Sequence, residues 1–362
     1  MAETFTTAEL VIPGTYLRVR AEGLIGVGGI STGNVGIVGT ASAGIGETHN
    51  VNDYETMRAL FGAYDAYAAG AGTLNLTRAA EVLFRNGARN VYARGVAAGA
   101  NQAAFSEAFA EVVKEDVNIL IAPELSTNDA LSVLGPVLET AENSNKDIMA
   151  VVGSDETAVA DIVGQVPTND RIIFTAPGIR AFDSAAAGGA GEEVELDGTY
   201  GAAAVAGLIA TLTPESSPTN KVLPGVVRLT QRFAYGQVRQ LVQNRVLTLE
   251  ERRGVRVVRG LTSDDGAFQQ VTTRRITDFA KAGIRQAGNA FIGKLNNQRV
   301  RGALQAAIDG FLTTMVVDEQ LVGYSLSVTA TRRDEIEGRA VVNVVIQPTF
   351  SIDFVAVTLV LE

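Results

Sequence analysis

The chain is 362 residues long, 46% apolar and 19% charged, with a formal net charge of −10 and no cysteine. That composition gives a globular protein with room for two cored domains and excludes a disordered chain. The missing cysteines exclude disulfides, thiolate chemistry and cysteine metal sites, and suit synthesis in a cytoplasm with later work outside it. No run approaches the ~20 uninterrupted apolar residues of a membrane span. Met1-Ala2-Glu3-Thr4 lacks the basic and apolar segments of a secretory signal, so none is expected.

The charge is unevenly divided. Residues 1–213 carry 11 Lys and Arg against 26 Asp and Glu (−15), residues 214–362 carry 19 against 14 (+5), and the two sums return −10. The basic residues of the second part are mostly Arg and lie among carboxylates, a pattern of paired protein contacts and not of a nucleic-acid track.

In chain order, Leu10-Val11-Ile12 leads into a Pro13-Gly14 turn, after which Tyr16, Arg18 and Arg20 alternate with Leu17 and Val19. This reads as a short extended arm. From about residue 34 to 213 the pattern alternates strand and helix. Val35–Gly39 reads as a buried strand, and Leu76, Ala79, Ala80, Leu83 and Phe84 define a helix stopped at Asn86-Gly87. Strand Val91–Ala93, helix 103–114, strand Val117–Ile121, helix 129–142, strand Ile148–Val152, helix 155–164 and strand Arg171–Thr175 follow. Repeated βα units of this kind predict a mostly parallel sheet with helices on its faces. The acidic run Glu192, Glu193, Glu195 and Asp197 reads as a solvated loop, and Ala202–Leu212 as a small-residue helix.

The second part predicts α+β. Gly254–Gly260 is a strand, and Ile276, Phe279, Ala280, Gly283, Ile284, Ala287 and Phe291 make one helix face. Val300, Leu304, Ala307, Ile308, Phe311 and Leu312 make another. Strands over 321–330 and 340–347 lead into Phe350–Leu361, where Phe350, Ile352 and Phe354 alternate with Ser351 and Asp353 before a nearly continuous apolar run. An uncovered run of this kind is a template for edge pairing, so either the strand is internal, where the opening residues could pair with it, or another copy completes it. The layout drawn is discontinuous. Residues 1–22 form an arm and first strand of an inner domain, 23–213 an inserted outer α/β domain, 214–346 the inner α+β domain, and 347–362 a C-terminal arm.

Chemistry is hard to find. Gly39-Thr40-Ala41-Ser42-Ala43-Gly44 has phosphate-loop glycine spacing, but Ile45-Gly46 stands where Lys-Ser/Thr is needed. His49 is the single histidine, set among Glu47, Thr48, Asn50 and Asn52 in an expected loop, which leaves no triad and no histidine metal site. Asp264-Asp265-Gly266 is turn chemistry. No catalytic, cofactor-binding or metal-ligating set is expected.

Several stretches nevertheless carry a likeness. Gly254-Val255-Arg256-Val257-Val258-Arg259-Gly260-Leu261-Thr262 resembles the "G-V-x-V-x-R-G-I-T" strand of contractile tail sheath proteins from myophages, R-type pyocins and related injection systems. Phe268 to Asn289 resembles the helix that follows it, and Phe291-Ile292-Gly293-Lys294 and Phe350-Ser351-Ile352-Asp353-Phe354 continue the similarity. Near the start, Ile12-Pro13-Gly14-Thr15-Tyr16 and Gly33 to Thr40 are similar to the family's N-terminal segment and first buried strand. The resemblance implies a non-enzymatic structural subunit without cofactors, assembled in a bacterial or archaeal host cytoplasm into a phage virion or phage-tail-like particle.

It further implies stacked six-membered rings around an inner tube, with baseplate and cap proteins as partners and no nucleic acid or membrane insertion. Contraction of that sleeve drives the tube through a target envelope. Terminal arms, here Leu10, Ile12, Tyr16, Leu17 and Val19 at one end and Phe350, Ile352, Phe354, Val355, Val357, Leu359 and Leu361 at the other, would add strands to neighbouring subunits. Arg299 and Arg301, at the start of a helix in the basic part, are the candidates for facing the tube. The competing readings are a nucleotide-binding α/β enzyme using glycine-rich segment 23–46 and a non-contractile protein with exchanged strands.

Overall fold

The computed structural model describes residues 29–62, 75–186 and 190–360. The chain opens with β1 (Val35–Thr40), β2 (Thr48–Val51), α1 (Tyr54–Phe61), α2 (Leu76–Arg85), β3 (Val91–Val96), α3 (Gln102–Val112) and β4 (Ile119–Ile121). It continues through α4 (Thr127–Asn143), β5 (Met149–Gly153), α5 (Val159–Gln165), β6 (Ile172–Ala176), β7 (Ile179–Asp183), β8 (Glu192–Leu196) and α6 (Gly198–Thr211). Then come β9 (Val226–Leu229), α7 (Tyr235–Gln243), β10 (Leu247–Glu251), β11 (Val255–Val257) and α8 (Val271–Asn289). The last elements are α9 (Gln298–Val317), β12 (Leu321–Thr329), α10 (Arg332–Ile336) and β13 (Val341–Pro348). Asp53, Asn101, Ser126 and Asn297 each sit just before a helix and accept a backbone N–H from its first turn. None of the described helices is long and apolar enough to cross a membrane.

Eight strands form the main sheet in the order β11-β10-β6-β5-β4-β1-β3-β2. The six inner strands run parallel, and β2 and β11 close the two edges antiparallel. The expected βα alternation is therefore present, and its apolar runs are buried on both faces as parallel strands require. One core lies between the sheet and α3, α4, α5 and α7. On the opposite face α2 and α6 pack against the strands, and over them sits a three-stranded sheet, β8-β7-β9. A third core joins α8, α9 and the ribbon β12–β13.

Three expectations need correction. The main sheet does not stop at residue 213: β10 pairs with β6 and β11 with β10, so Val255–Val257 belongs to this sheet and not to that of the C-terminal part. Leu247, Leu249, Val255 and Val257 are buried in the core of the main sheet, which is why these strands join it. The acidic run is no loop either. Glu192–Leu196 is β8, whose carboxylates meet Arg180 on the adjacent β7, directly opposite Glu195, and Arg228 on β9 beyond it. Finally, 350–360 forms no strand within the chain. The proposed first strand in 1–22 lies outside the described residues.

Helix α6 packs closely enough to touch backbone. A Cβ added at Gly153 would lie 1.6 Å from the carbonyl oxygen of Gly198, and one at Gly33 2.2 Å from that of Ala210. Gly153→Ala is expected to push the end of β5 off α6 and cost about 2–3 kcal/mol, a fall in Tm of roughly 3–4 °C for a chain of this length. A thermal melt of the variant indistinguishable from that of the parent would refute this account.

Candidate functional site

In a doubly wound sheet a ligand sits at the carboxyl ends of the strands where the order reverses. Here that point lies between β1 and β4, and Glu124 fills it. Its carboxylate accepts from the backbone N–H of Thr40 at 2.7 Å and from the Thr40 hydroxyl at 2.7 Å. Burial raises the Glu124 pKa, against the pull of these hydrogen bonds. The glycine-rich loop spends its amides internally as well. Ser42 and Ala43 both donate to the carbonyl of Phe61, and Gly46 donates to that of Gly95. A phosphate cradle needs such amides free at a helix N-terminus, whereas the loop leads into strand β2. His49 lies on that edge strand, not in a loop, with its ring 5.6 Å from Phe61.

A cluster of ion pairs instead joins the basic part to the base of the main sheet. Arg171, at the start of β6, donates to both carboxylate oxygens of Glu142 at 2.6 and 3.0 Å, and to Asp147 at 3.0 Å. It also reaches Asp278 of α8 at 3.3 Å. Arg274 bridges Asp278 and Asp170, while Lys281 and Arg285 close on Asp147. Four cations thus interleave with four carboxylates where α8 crosses the base of the main sheet.

Beside them Arg275 is buried and donates to three backbone carbonyls, Thr32, Leu212 and Thr213, at 2.8–3.1 Å. Burial brings its pKa down to about 10, still charged at neutral pH. The Arg171 hydrogen bond, against burial, holds the Glu142 carboxyl at about 2. Asp147 is likewise lowered because Lys281 and Arg285 outweigh its burial. The spacing Arg274, Asp278, Lys281, Arg285 puts these groups on one helix stripe, which sequence alone could have revealed. Their partner Asp147, distant in sequence, could not be found that way.

The predicted terminal-arm residues divide. Leu10, Ile12, Tyr16, Leu17, Val19 and Leu361 lie outside the described residues. Phe350, Ile352, Phe354, Val355, Val357 and Leu359 are all on one extended segment and are between 64% and 87% exposed. This segment leaves β13 of the two-stranded ribbon. The ribbon buries one face against α8 and α9 through Tyr324, Leu326, Val328, Val342, Val344 and Ile346, and turns Val322 and Val345 outward. Among the described residues neither outer edge of the ribbon has a strand partner. Two strands alone are marginal in water, so this open edge and the apolar segment beside it are a template for pairing with a further strand. Arg299 is exposed at the start of α9, whereas Arg301 is mostly covered and donates to Glu335 at 3.0 Å and to Asn296 at 2.9 Å.

A doubly wound body with an internally filled ligand crevice, carrying an open ribbon and an apolar extended end, defines a protein built for assembly. Residues 98–263 match the phage tail sheath protein central domain and residues 263–362 the phage tail sheath C-terminal domain. The chain belongs to the contractile tail sheath family. The same fold occurs in the sheath complex of an extracellular contractile injection system, PVC, in its contracted state. There the TM-score is 0.75 at 16% identity, over 99% of each chain. The contracted helical sheath of the anti-feeding prophage gives a TM-score of 0.73 at 17% identity, over 97% of this chain and 99% of that one. A sheath tail protein from Desulfitobacterium hafniense gives 0.65 at 14% identity, over 93% of this chain and all of that one. No curated protein matches the sequence at a significant level. The boundary between the two matched domains falls at residue 263, beyond β11, where the main sheet ends.

The ion-pair cluster makes stability acid-sensitive. Glu142 titrates near 2 when folded against an ordinary 4.5. Its contribution is therefore complete above about pH 4.5 and is lost as pH falls towards 2. Glu142→Gln should flatten the fall in denaturation midpoint between pH 5 and pH 3 relative to the parent, while lowering stability at pH 7. Parallel curves for the two proteins would show that Glu142 is not held by the cluster.

Proposed function

We propose that this chain is the repeating subunit of a contractile sheath that stacks as six-membered rings around an inner tube and shortens to drive the tube through an envelope. The observation that carries the reading is the exposed apolar segment 350–360 next to a ribbon with open edges, in a chain of the tail sheath family. The segment's partner is a second copy, whose ribbon it extends by β-augmentation. The N-terminal arm, residues 1–22, plays the matching part at the other end. Ordering the arm costs ~1–2 kcal/mol per residue, and burying its large apolar side chains returns ~1.5–3 kcal/mol each, with ladder hydrogen bonds added. Contraction draws on rearranged interfaces between rigid bodies and not on nucleotide hydrolysis. We assign the inner tube, a baseplate and a cap as the partners, with assembly in the host cytoplasm, and keep the divisions at 22 and 346 as those of the two arms.

Deleting residues 349–362 should leave a folded, soluble subunit with an unchanged circular dichroism spectrum that no longer polymerises. Loss of the fold on deletion would mean the segment is internal to its own subunit. The basic inner part faces the tube through the start of α9. Reversing Arg299 and Arg301 to Glu should weaken assembly of extended sheath on tube more than assembly of contracted sheath alone, and the loss should grow at low salt. Arg301→Glu also breaks the pair with Glu335, so Arg299→Glu is measured separately as well. Equal loss of both forms would place these residues between sheath subunits.

A further inference from the structure

Three of the stretches that carry the family likeness meet at one polar junction. Asp353, from the terminal stretch, is only 6% exposed at its side chain. Its carboxylate accepts from Arg259 Nε at 2.8 Å, Gln270 Nε2 at 3.2 Å and the Thr219 hydroxyl at 3.2 Å. Two residues earlier, the Ser351 backbone N–H donates to Gln270 Oε1 at 3.2 Å, and the Ser351 and Thr272 hydroxyls lie 3.3 Å apart. Arg259 also stacks over the Phe354 ring at 5.2 Å. The arm therefore rests on the body by its polar residues. Successive side chains of an extended segment point to opposite sides, so holding 351 and 353 inward turns Phe350, Ile352 and Phe354 outward. This inverts the usual expectation that the apolar set faces the body.

We propose that Asp353, held by Arg259 and Gln270, is a register lock that fixes which face of the C-terminal arm is offered to a second copy of the chain. A slip of one residue would place Ile352 in the polar cradle and Asp353 on the outer face, exchanging every side chain between the two sides. Asp353 opposes that slip because the slip would leave Arg259, Gln270 and Thr219 facing an isoleucine in place of the carboxylate they donate to. Arg259 and Asp353 act here as positioning residues. The consequence for assembly rests on the arm reading above; the lock itself is a property of the single subunit.

The absence of cysteine makes the test direct. Ser351→Cys and Ile352→Cys are introduced separately, and their rates with a thiol reagent are compared in the unassembled subunit. In the parent background Cys at 352 should react about tenfold faster or more than Cys at 351. Adding Asp353→Leu, or the milder Arg259→Gln, should bring the ratio close to one, and sedimentation should show polymer yield falling with it. A ratio near one in the parent background, or a ratio unchanged by both variants, overturns the lock. If the ratio behaves as expected but the parent protein itself forms no polymer, the lock stands and the arm reading fails.

Discussion

Helix α6 is buried on every side from Gly198 to Ile209, and the layers of the body are arranged around it. A helix can occupy such a place only if its side chains are small, and Gly198, Gly201, Ala202, Ala203, Ala204, Ala206 and Gly207 keep it thin. Its first turn meets the end of β5 backbone to backbone, and Gly207 lies against the carbonyl of Leu83 in α2. The main sheet is on one side and the three-stranded sheet β8-β7-β9 on the other. The second sheet is fastened by a buried ion pair, Arg78 of α2 with Asp183 of β7 at 3.2 Å. Such a pair adds little net stability, but breaking one partner leaves an uncompensated charge in the core, so it fixes the orientation of the outer sheet.

The C-terminal part attaches to this body differently. Van der Waals packing dominates around α6, whereas α8 meets the base of the sheet through interleaved charges and through Arg275, which ties Thr32, Leu212 and Thr213 together. Buried and half-buried ion pairs demand a fixed geometry, because each displaced group must find another partner or water. The joint is therefore specific without being greasy. It holds the ribbon β12–β13 and the polar junction at Asp353 in a defined relation to the main sheet, which an arm needs if it is to reach a neighbour in one direction.

Much of the body was legible in the sequence because the two periodicities are so distinct there. Val35–Gly39, Val91–Ala93 and Ile148–Val152 read as buried strands, and the helix ending at Asn86-Gly87 lies within a residue of its observed limit. Strand order was not legible. Nothing local in Leu247–Glu251 states that it pairs with β6, since that pairing is decided by burial across a long sequence separation. Glu192–Leu196 reads as a loop because solvation of a carboxylate and pairing of a carboxylate with an Arg on another strand look alike in one dimension. The alternation of the terminal segment was plain, but which half faces the body depends on Arg259 and Gln270, residues that only the fold brings near. Similarly, the ligand crevice gave no sign in sequence of being filled, because Glu124 is an ordinary loop carboxylate until β1 and β4 are side by side.

These features have a common physical basis. An assembly that must change shape without falling apart needs bodies that stay rigid and connections that stay made while the bodies turn. Packed layers around α6 supply rigidity, since close-packed interiors yield in discrete steps and resist continuous deformation. In the proposed assembly backbone ladders supply the connection, because their hydrogen bonds run along an extended segment whose own dihedrals can absorb rotation at its root. The cost is an apolar segment that must not pair wrongly before assembly. On the proposed reading, seating that segment by its polar side, with the root held at Asp353, lets one arrangement do both jobs: the free subunit keeps a single register, and the apolar face is left complete for a neighbour to cover.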